Sequence, residues 1–269
     1  MSDYQDFIKK VLEEASDIAR SNFGKTSSVT TKSGDNNQVL TETDLAIGRL
    51  IVGKIKETFP THNIIDEEAG VIDNNSEFTW VVDPIDGTSN FANGIPLYGI
   101  MAGLLQKEIP IAGGISLPSF NEIYVAEKGK GAFCNDEQIH ATTEERLLKV
   151  LVAYGIDGHQ ENSEITFNET KLLSEIILNI RNLRSSNSAF DTAMVAKGSY
   201  GATINRTSKI WDNVAQQIFL EEAGCIYTDF FGKPIDYTNP LEKVGLNFTH
   251  CAAPPALHKA LQTIIHKKQ

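Results

Sequence analysis

The chain has 269 residues, and its 35 acidic and 24 basic residues give a net charge of −11, which argues against a nucleic-acid-binding surface. No stretch approaches the roughly 20 apolar residues of a membrane span, and the N-terminus lacks the features of a secretory signal. The three cysteines form no CxxC pair, so we expect reduced thiols in a cytosolic protein that binds neither nucleic acid nor membranes.

The first sixty residues predict two helices separated by a polar segment. Apolar residues at helical spacing indicate a helix that begins near Tyr4 and ends at Gly24. Residues 25–38 are polar and lack periodicity, which predicts a loop or a hairpin. A second helix is expected to begin near Thr41–Asp44 and to end at Pro60.

Two short apolar strands follow, and each runs into acidic residues. The strand 63–65 is followed by Asp66, Glu67 and Glu68, and the strand 78–82 is followed by Asp83. Carboxylates at strand ends can converge on one point. Residues 98–140 then alternate apolar runs with turn signals, which predicts an antiparallel meander.

A polar, charged stretch at Thr142–Arg146 predicts a boundary between an N-terminal half, residues 1–145, and a C-terminal half, residues 146–269. The elements predicted beyond it are a strand 149–154, helices 168–180 and 188–197, a strand 200–204, a helix 212–223, a strand 225–228 and a helix near 255–265. Gly198 and Gly224 follow helix ends, where left-handed residues are common. Helices and strands are mixed in both halves, so we expect a layered α+β fold, with an antiparallel sheet in the first half and a mixed sheet in the second.

The segment with the most chemical content runs from Asp83 to Phe91 and reads DPIDGTSNF. Pro84 restricts the preceding residue to an extended conformation, and a turn after it can aim Asp83, Asp86 and the Ile85 carbonyl at one point. Hard oxygen ligands of this kind suit Mg²⁺. Gly87 and the residues after it could open a helix whose free N–H groups bind phosphate.

This segment resembles the DPIDGTxNF signature of the inositol monophosphatase family, and further motifs follow in the family's order. Thr41 to Asp44 resembles its V-T-x-x-D helix start, Ile64 to Glu68 its I-G-E-E segment, and Trp211 to Gly224 its W-D-x-A-A…E-A-G segment. Lys32 falls roughly where the family has a lysine in its first loop. The resemblance implies a layered α/β sandwich of helices and sheets, a site between the two halves and a homodimer.

The resemblance also implies a magnesium centre of two or three ions. Glu67, Asp83 and the Ile85 carbonyl would bind the first ion, and Asp83, Asp86 and Asp212 the second. Such a set suits hydrolysis of a phosphate monoester, because its loose transition state is stabilised mainly by positioning and charge neutralisation. No Ser, Cys or His nucleophile is required.

The catalytic residues implied by the resemblance are Glu67, Thr88 and Asp44. Thr88, hydrogen-bonded to Asp44, would orient the attacking water together with Glu67, and Glu68 would support the site from behind. The residues implied to bind the small phosphorylated substrate are Asp86, Gly87, Thr88, Ser89, Asn187, Asn205 and Asp212.

The sequence departs from the family at positions that bear on the substrate. Asp66 stands where glycine is usual, and its effect is open. Asn205 falls where a glutamate contacts inositol hydroxyls, so we expect weaker discrimination among polyols and tolerance of a second anionic group. Inositol monophosphatase activity is the main prediction. The alternative activities are those of histidinol-phosphate phosphatase, 3′(2′),5′-bisphosphate nucleotidase and fructose-1,6-bisphosphatase. The rival from another class is a catalytically silent metal-binding regulatory protein.

Overall fold

Helices and strands form alternating layers in the computed structural model, which describes residues 3–25, 29–31 and 39–267. In this part of the chain the helices α1 to α7 are Asp3–Asn22, Glu42–Thr58, Thr88–Ala92, Ser163–Asn179, Ala189–Ala196, Ile210–Glu222 and Pro255–His266. The strands β1 to β15 are Val29–Thr31, Val39–Thr41, Asn63–Asp66, Gly70–Ile72, Phe78–Asp86, Gly99–Gln106, Ile109–Leu117, Glu122–Glu127, Gly131–Cys134, Glu137–Ile139, Leu151–Gly155, Asn182–Arg184, Ala202–Ser208, Ile226–Thr228 and Phe248–Ala253.

The larger sheet has eight strands in the order β10-β9-β8-β7-β6-β5-β3-β4. The predicted meander is confirmed, because β5 to β10 pair antiparallel in sequence order. The sheet also contains one parallel pair, β3 with β5, which the sequence did not predict. Because parallel strands end at the same edge, the residues after Asp66 and the residues around Asp83 come together there.

The smaller sheet has five strands in the order β12-β11-β13-β15-β14. The first two pairs are parallel and the last two antiparallel, so the predicted mixed sheet is confirmed. Strands β4, β12 and β15 were not predicted. The larger sheet ends at Ile139 and the smaller begins at Leu151; the division into halves at residue 145 stays a prediction.

Hydrophobic cores separate the layers. Helices α1 and α2 pack on one face of the larger sheet, around Leu12, Ile51 and Trp80. Helices α5 and α6 lie against its other face, where Met101 and Ile115 meet Ala193 and Phe219. Helices α4 and α7 cover the outer face of the smaller sheet. The order of layers is therefore helix, sheet, helix, sheet, helix, which agrees with the predicted layered α+β fold.

Helix α6 approaches the larger sheet very closely because two glycines lie beneath it. A Cβ atom on Gly103 would lie 2.7 Å from the Ala215 backbone nitrogen, and one on Gly113 would lie 2.7 Å from the Ile218 side chain. Because these glycines have no side chains, the helix packs closely against the sheet. This contact brings the beginning of α6, with Asp212, towards the end of β5.

Most predicted helix ends agree with the structure. Gly24, Gly198 and Gly224 have φ angles of 71°, 77° and 98°, so all three adopt the left-handed conformation. Helix α4 begins at Ser163, earlier than the predicted 168. The described strands β1 and β2 pair antiparallel, whereas Lys32 lies outside the described residues. No described helix is both long enough and apolar enough to cross a membrane.

Candidate active site

A β-bulge aims the two carboxylates of the DPID segment in one direction. The pairing of β5 with β6 is regular up to Asp83, shifts, and resumes at Asp86. In a regular strand, residues three apart point to opposite faces, but a bulge adds a residue and re-aims the side chains after it. The irregular pairing at Pro84 thus lets Asp83 and Asp86 meet on one side.

Asp83, Asp86 and Asp212 form an acidic cluster. Each offers a carboxylate oxygen, and these three oxygens lie within 4.8 Å of one another. The Asp86 carboxylate accepts a hydrogen bond from the Ala189 backbone N–H at the start of α5. The Asp212 carboxylate accepts one from the Lys209 backbone N–H at 2.6 Å. Each of these two carboxylates is therefore held by the beginning of a helix.

Burial and mutual repulsion make this cluster costly while no cation is bound. Burial, followed by the negative charge of Glu67, raises the pKa of Asp83 well above its ordinary value. Burial and the negative charge of Asp212 raise the pKa of Asp86 in the same direction. Like charges crowded in a poorly solvated site favour protonation or a cation among them.

The Asp83 carboxylate has an oxygen suited to a metal ligand. Its side chain is 1% exposed, and its Oδ1 atom has no hydrogen-bond partner among the described residues. A buried polar atom without a hydrogen-bond partner destabilises the fold by about 1–3 kcal/mol, and a charged one by more. Three convergent carboxylates are the ligand type that Mg²⁺ and similar hard cations prefer. These residues therefore fit a divalent metal ion.

Asp66, whose effect was open, stabilises the turn that carries Glu67 and Glu68. Its Oδ1 atom accepts hydrogen bonds from the backbone N–H groups of Glu68 at 3.0 Å and Ala69 at 2.6 Å. The side chain is buried against Gly48, where an added Cβ would lie 3.1 Å from the carboxylate. Asp66 does not line the cleft, whereas Glu67 does.

Thr88 and Asp44 form a hydrogen-bonded pair behind the carboxylates. The Thr88 hydroxyl lies 2.7 Å from the Ile85 carbonyl oxygen and 3.1 Å from Asp44 Oδ1. Asp44 also accepts hydrogen bonds from the backbone N–H and the hydroxyl of Thr41, which caps α2. Burial raises the pKa of Asp44, and the Thr41 hydrogen bonds oppose that rise. Both oxygens of Asp44 thus have defined partners.

Gly87 allows the sharp turn between β5 and α3. Its φ angle is 84°, in the left-handed region, and a Cβ atom there would lie 2.8 Å from the Ser188 side chain. Only glycine meets both requirements without strain. The backbone of Gly87, Thr88 and Ser89 therefore passes the acidic cluster at the beginning of a helix.

A cleft of about 820 Å³ opens over the cluster. It is lined by every residue of the predicted site except Asp44, which lies behind Thr88; these are Glu67, Asp83, Ile85, Asp86, Gly87, Thr88, Ser89, Asn187, Asn205 and Asp212. The sequence-based site is thus brought into one cavity from both sheets.

The two asparagines lie on the side of the cleft formed by the second half. Asn187 Nδ2 donates a hydrogen bond to Asp157 at 3.0 Å. Asn205 Oδ1 accepts one from the Thr207 backbone N–H at 2.7 Å, so its carbonyl side is engaged. Because a backbone N–H can only donate, the amide nitrogen of Asn205 must point the other way, towards Gly155.

Several residues that line the cleft were missed by the sequence analysis, namely Asp157, His159, Glu161, Asp191, Thr192, Thr203, Lys209, Gln216 and His250. Among the described residues that line the cavity, seven carry carboxylates, whereas Lys209 is the single lysine or arginine. Alternation along β13 could have indicated Thr203 from Asn205, but His250 lies on a strand that was not predicted.

The raised pKa values predict how the stability of the metal-free protein depends on pH. A carboxyl group whose pKa is higher in the folded state stabilises the fold below its ordinary pKa, 3.8 for Asp, and loses that contribution as pH rises through the folded value. We expect chemical denaturation in EDTA to give a lower unfolding free energy at pH 8 than at pH 5. The loss is about 1.4 kcal/mol for each pH unit between pH 5 and the folded pKa.

The matched variant is Asp83→Asn, which keeps the shape of the side chain and does not titrate. It should flatten the pH dependence in EDTA, and excess Mg²⁺ should flatten it for the wild type. Equal slopes for the wild type and Asp83→Asn would show that the raised pKa of Asp83 is not the cause of the pH dependence.

Comparison with known proteins gives one consistent family. A family model described as the inositol monophosphatase family matches residues 1–269. A fructose-1,6-bisphosphatase/inositol-1-monophosphatase of Aquifex aeolicus is 30% identical over 235 residues, which cover 84% of this chain and 88% of that protein. Inositol monophosphatase 2 of Solanum lycopersicum is 32% identical over 245 residues, covering 88% and 91%. The structure of the Thermotoga maritima IMPase matches with a TM-score of 0.86 at 26% identity, over 99% of this chain and 98% of that one. The chain therefore belongs to the inositol monophosphatase family, whose members hydrolyse phosphoric monoesters.

Proposed function

We propose that this protein is a Mg²⁺-dependent phosphatase that releases phosphate from the monoester of a small polyol, as an inositol monophosphatase does. The observation that carries the proposal is the convergence of Asp83, Asp86 and Asp212 in one cleft, with a buried Asp83 oxygen that has no hydrogen-bond partner among the described residues.

The acidic residues would hold the metal. Glu67, Asp83 and the Ile85 carbonyl are assigned to one ion, and Asp83, Asp86 and Asp212 to another, in a centre of two or three ions. When bound, magnesium ions supply positive charge that neutralises the phosphate and activates water. The carboxylates in turn offset the charge of the cations, which lets them assemble in a buried site.

Thr88 has the hydrogen-bond pattern needed to orient a water molecule. Its hydroxyl has one proton, which it donates to the Ile85 carbonyl oxygen or to Asp44. Towards the cleft the oxygen can therefore only accept a hydrogen bond. A water that donates to Thr88 and to Glu67 would direct a lone pair at the phosphorus.

The phosphate would lie against the turn at Gly87. The backbone N–H groups of Gly87, Thr88 and Ser89 are at a helix beginning, where intrahelical acceptors are lacking, and such groups favour an anion. The close contact of Gly87 with Ser188 keeps the α5 side of the cleft near this turn.

The leaving group would contact Asn187 and Asn205, and the charge of the cleft favours an uncharged one. Asn205 alone suggested tolerance of a second phosphate. Four of the seven lining carboxylates are assigned to the metal ions, and the other three, Asp157, Glu161 and Asp191, still outnumber Lys209 among the described lining residues. This remaining negative charge argues the opposite, because a second phosphate would need its own cations. Monoesters of neutral polyols are therefore favoured over fructose 1,6-bisphosphate and nucleoside 3′,5′-bisphosphates.

Phosphate release from four substrates with Mg²⁺ tests this proposal. We expect kcat/KM for inositol 1-phosphate to exceed that for fructose 1,6-bisphosphate and adenosine 3′,5′-bisphosphate by about tenfold or more, as one unfavourable charge contact of about 1.4 kcal/mol requires. Histidinol phosphate, which carries an amine, is the fourth substrate. A bisphosphate that outperforms inositol 1-phosphate would contradict the choice of leaving group, and no release from any ester would favour the silent regulatory alternative.

The remaining parts of the proposal concern the setting of the enzyme. We propose that the enzyme is cytoplasmic, that it forms a homodimer, and that its binding partner is its substrate, a small phosphorylated metabolite. The three free cysteines support a reducing compartment, and the dimer rests on the family resemblance. Sedimentation would test the dimer.

A further inference from the structure

We propose that His250 determines the specificity of the cleft, because with Thr203 it forms an uncharged hydrogen-bonding surface that binds a hydroxyl group of the leaving alcohol. This inference rests on the proposed function and assigns a residue outside the predicted site. The observation behind it is the position of three neighbouring strands of the smaller sheet beneath the cleft.

The strand register brings His250 beside Asn205. Strands β13 and β15 pair antiparallel with Asn205 opposite His250, so their side chains lie on the same face of the sheet. Thr203 lies two residues before Asn205 and therefore shares that face. On the other side Gly155 pairs with Asn205, and its missing side chain makes room for the Asn205 amide. One row of polar groups thus faces the cleft.

His250 has a hydrogen-bonding atom that the protein does not satisfy. The side chain is 4% exposed, yet it lines the cleft. Its Nε2 atom lies 3.4 Å from the Thr203 hydroxyl, whereas its Nδ1 atom has no hydrogen-bond partner among the described residues. The ring of Tyr227 lies 5.4 Å away. A buried nitrogen without a partner is unfavourable, so a bound polar group would stabilise it.

The surroundings determine which polar group this can be. Burial lowers the pKa of His250 to about 4, so the ring is neutral near pH 7 and offers no charge to a phosphate. The hydroxyl of Thr203 can rotate, so Nε2 can accept from it or donate to it, and Nδ1 is then a donor or an acceptor. An alcohol hydroxyl, which both donates and accepts, matches either state.

Two further buried, uncharged side chains extend the hydrogen-bonding surface formed by His250 and Thr203. Thr192 donates a hydrogen bond to Gln216 Oε1 at 2.6 Å, and both residues line the cleft. Gln216 is one helical turn beyond Asp212 on α6, so this surface adjoins the acidic cluster. A substrate phosphate at the cluster would therefore have its hydroxylated leaving group within reach of the surface.

The kinetic test compares two monoesters that differ in hydroxyl groups. For His250→Leu we expect kcat/KM for inositol 1-phosphate to fall about tenfold, as the loss of one hydrogen bond predicts. The value for phenyl phosphate, whose leaving group has no further hydroxyl, should stay within about twofold. His250→Asn, which keeps a donor and an acceptor, should restore part of the loss. Cys251→Ala is the control, because Cys251 is buried in the core on the opposite face of β15.

Equal losses for both esters would show a merely structural role and overturn the proposal, as would no loss for either. A second measurement does not need turnover or a variant: the imidazole ¹⁵N signals of His250 in the wild type should shift on titration with myo-inositol. If they do not move up to the solubility limit, the nitrogen meets only water and the proposal is wrong. If the wild type hydrolyses neither ester while the signals shift, the proposed function fails and the polyol site remains.

Discussion

Removal of divalent metal with excess EDTA is expected to reduce phosphate release to the uncatalysed background, and added Mg²⁺ is expected to restore it. The reason is that basic side chains are scarce around the acidic cluster in the part of the chain that the structure describes. Among the described residues, the cleft has one lysine against seven carboxylates, so a phosphate dianion would be repelled from the metal-free site. Positioning and charge neutralisation are the main contributions to catalysis of phosphoryl transfer.

Metal binding itself gives a second readout. The melting temperature of the wild type should rise with Mg²⁺ concentration, because an ion that binds only the folded state stabilises it. Ca²⁺ serves as the comparison, since it also takes oxygen ligands but accepts longer and less regular coordination. Full activity in excess EDTA would remove the metal from the mechanism, whatever the melting curves show.

The sequence was most informative where chemistry and backbone restrict each other. The DPIDG segment predicted convergent carboxylates because Pro84 and Gly87 each restrict the backbone, and the bulge at that point is how the convergence is achieved. The helix ends at Gly198 and Gly224 were predictable for the same reason. Such positions need one residue type, so the residue indicates the local structure.

Prediction failed where a residue depends on distant partners. The parallel pairing of β3 with β5 arises from the arrangement of the whole sheet, which short-range patterns do not contain. Strand β15 carries Thr249 and His250 within an apolar run, so its alternation is weak, and its partner β13 lies some forty residues away. His250 consequently had no assigned face, and its position under the cleft became visible only in the structure.

Asp66 shows the same limit within a recognised motif. By sequence, a carboxylate beside Glu67 and Glu68 could have belonged to the site or lain outside it. Its role depends on two backbone N–H groups of the following turn and on the space left by Gly48. The adjacent carboxylates Asp66 and Glu67 thus serve different purposes, one stabilising a turn and the other lining the cleft.

Asp86→Asn is expected to lower kcat by a factor on the order of 10²–10³, the cost of removing one electrostatic group aimed at the transition state. The amide keeps an oxygen that can accept the hydrogen bond from the Ala189 backbone N–H, so the contact with α5 survives. What the variant loses is a negative charge directed at the cluster. The loss should therefore appear in turnover and in the Mg²⁺ concentration needed for half-maximal activity.

Although Asp86→Asn should lower turnover, it should leave the stability of the metal-free protein unchanged or raise it. Burial and the charge of Asp212 raise the pKa of Asp86, so above that raised pKa a charged carboxylate destabilises the wild-type fold. We expect Asp86→Asn to melt at the same temperature as the wild type, or at a higher one, in EDTA at pH 8, and to gain less from added Mg²⁺. Lower activity combined with unchanged or higher stability separates a damaged site from a damaged fold.

Glu161→Gln is the matched control, because it removes one negative charge from the same cleft at an exposed residue outside the cluster. Exposed charges are screened by water and salt, so its activity should stay within about threefold of the wild type. If Glu161→Gln and Asp86→Asn were equally impaired, the overall field of the cleft would explain the loss. If Asp86→Asn turned over at the wild-type rate in saturating Mg²⁺, Asp86 would not be a metal ligand, and Asp83 and Asp212 would have to hold the ion without it.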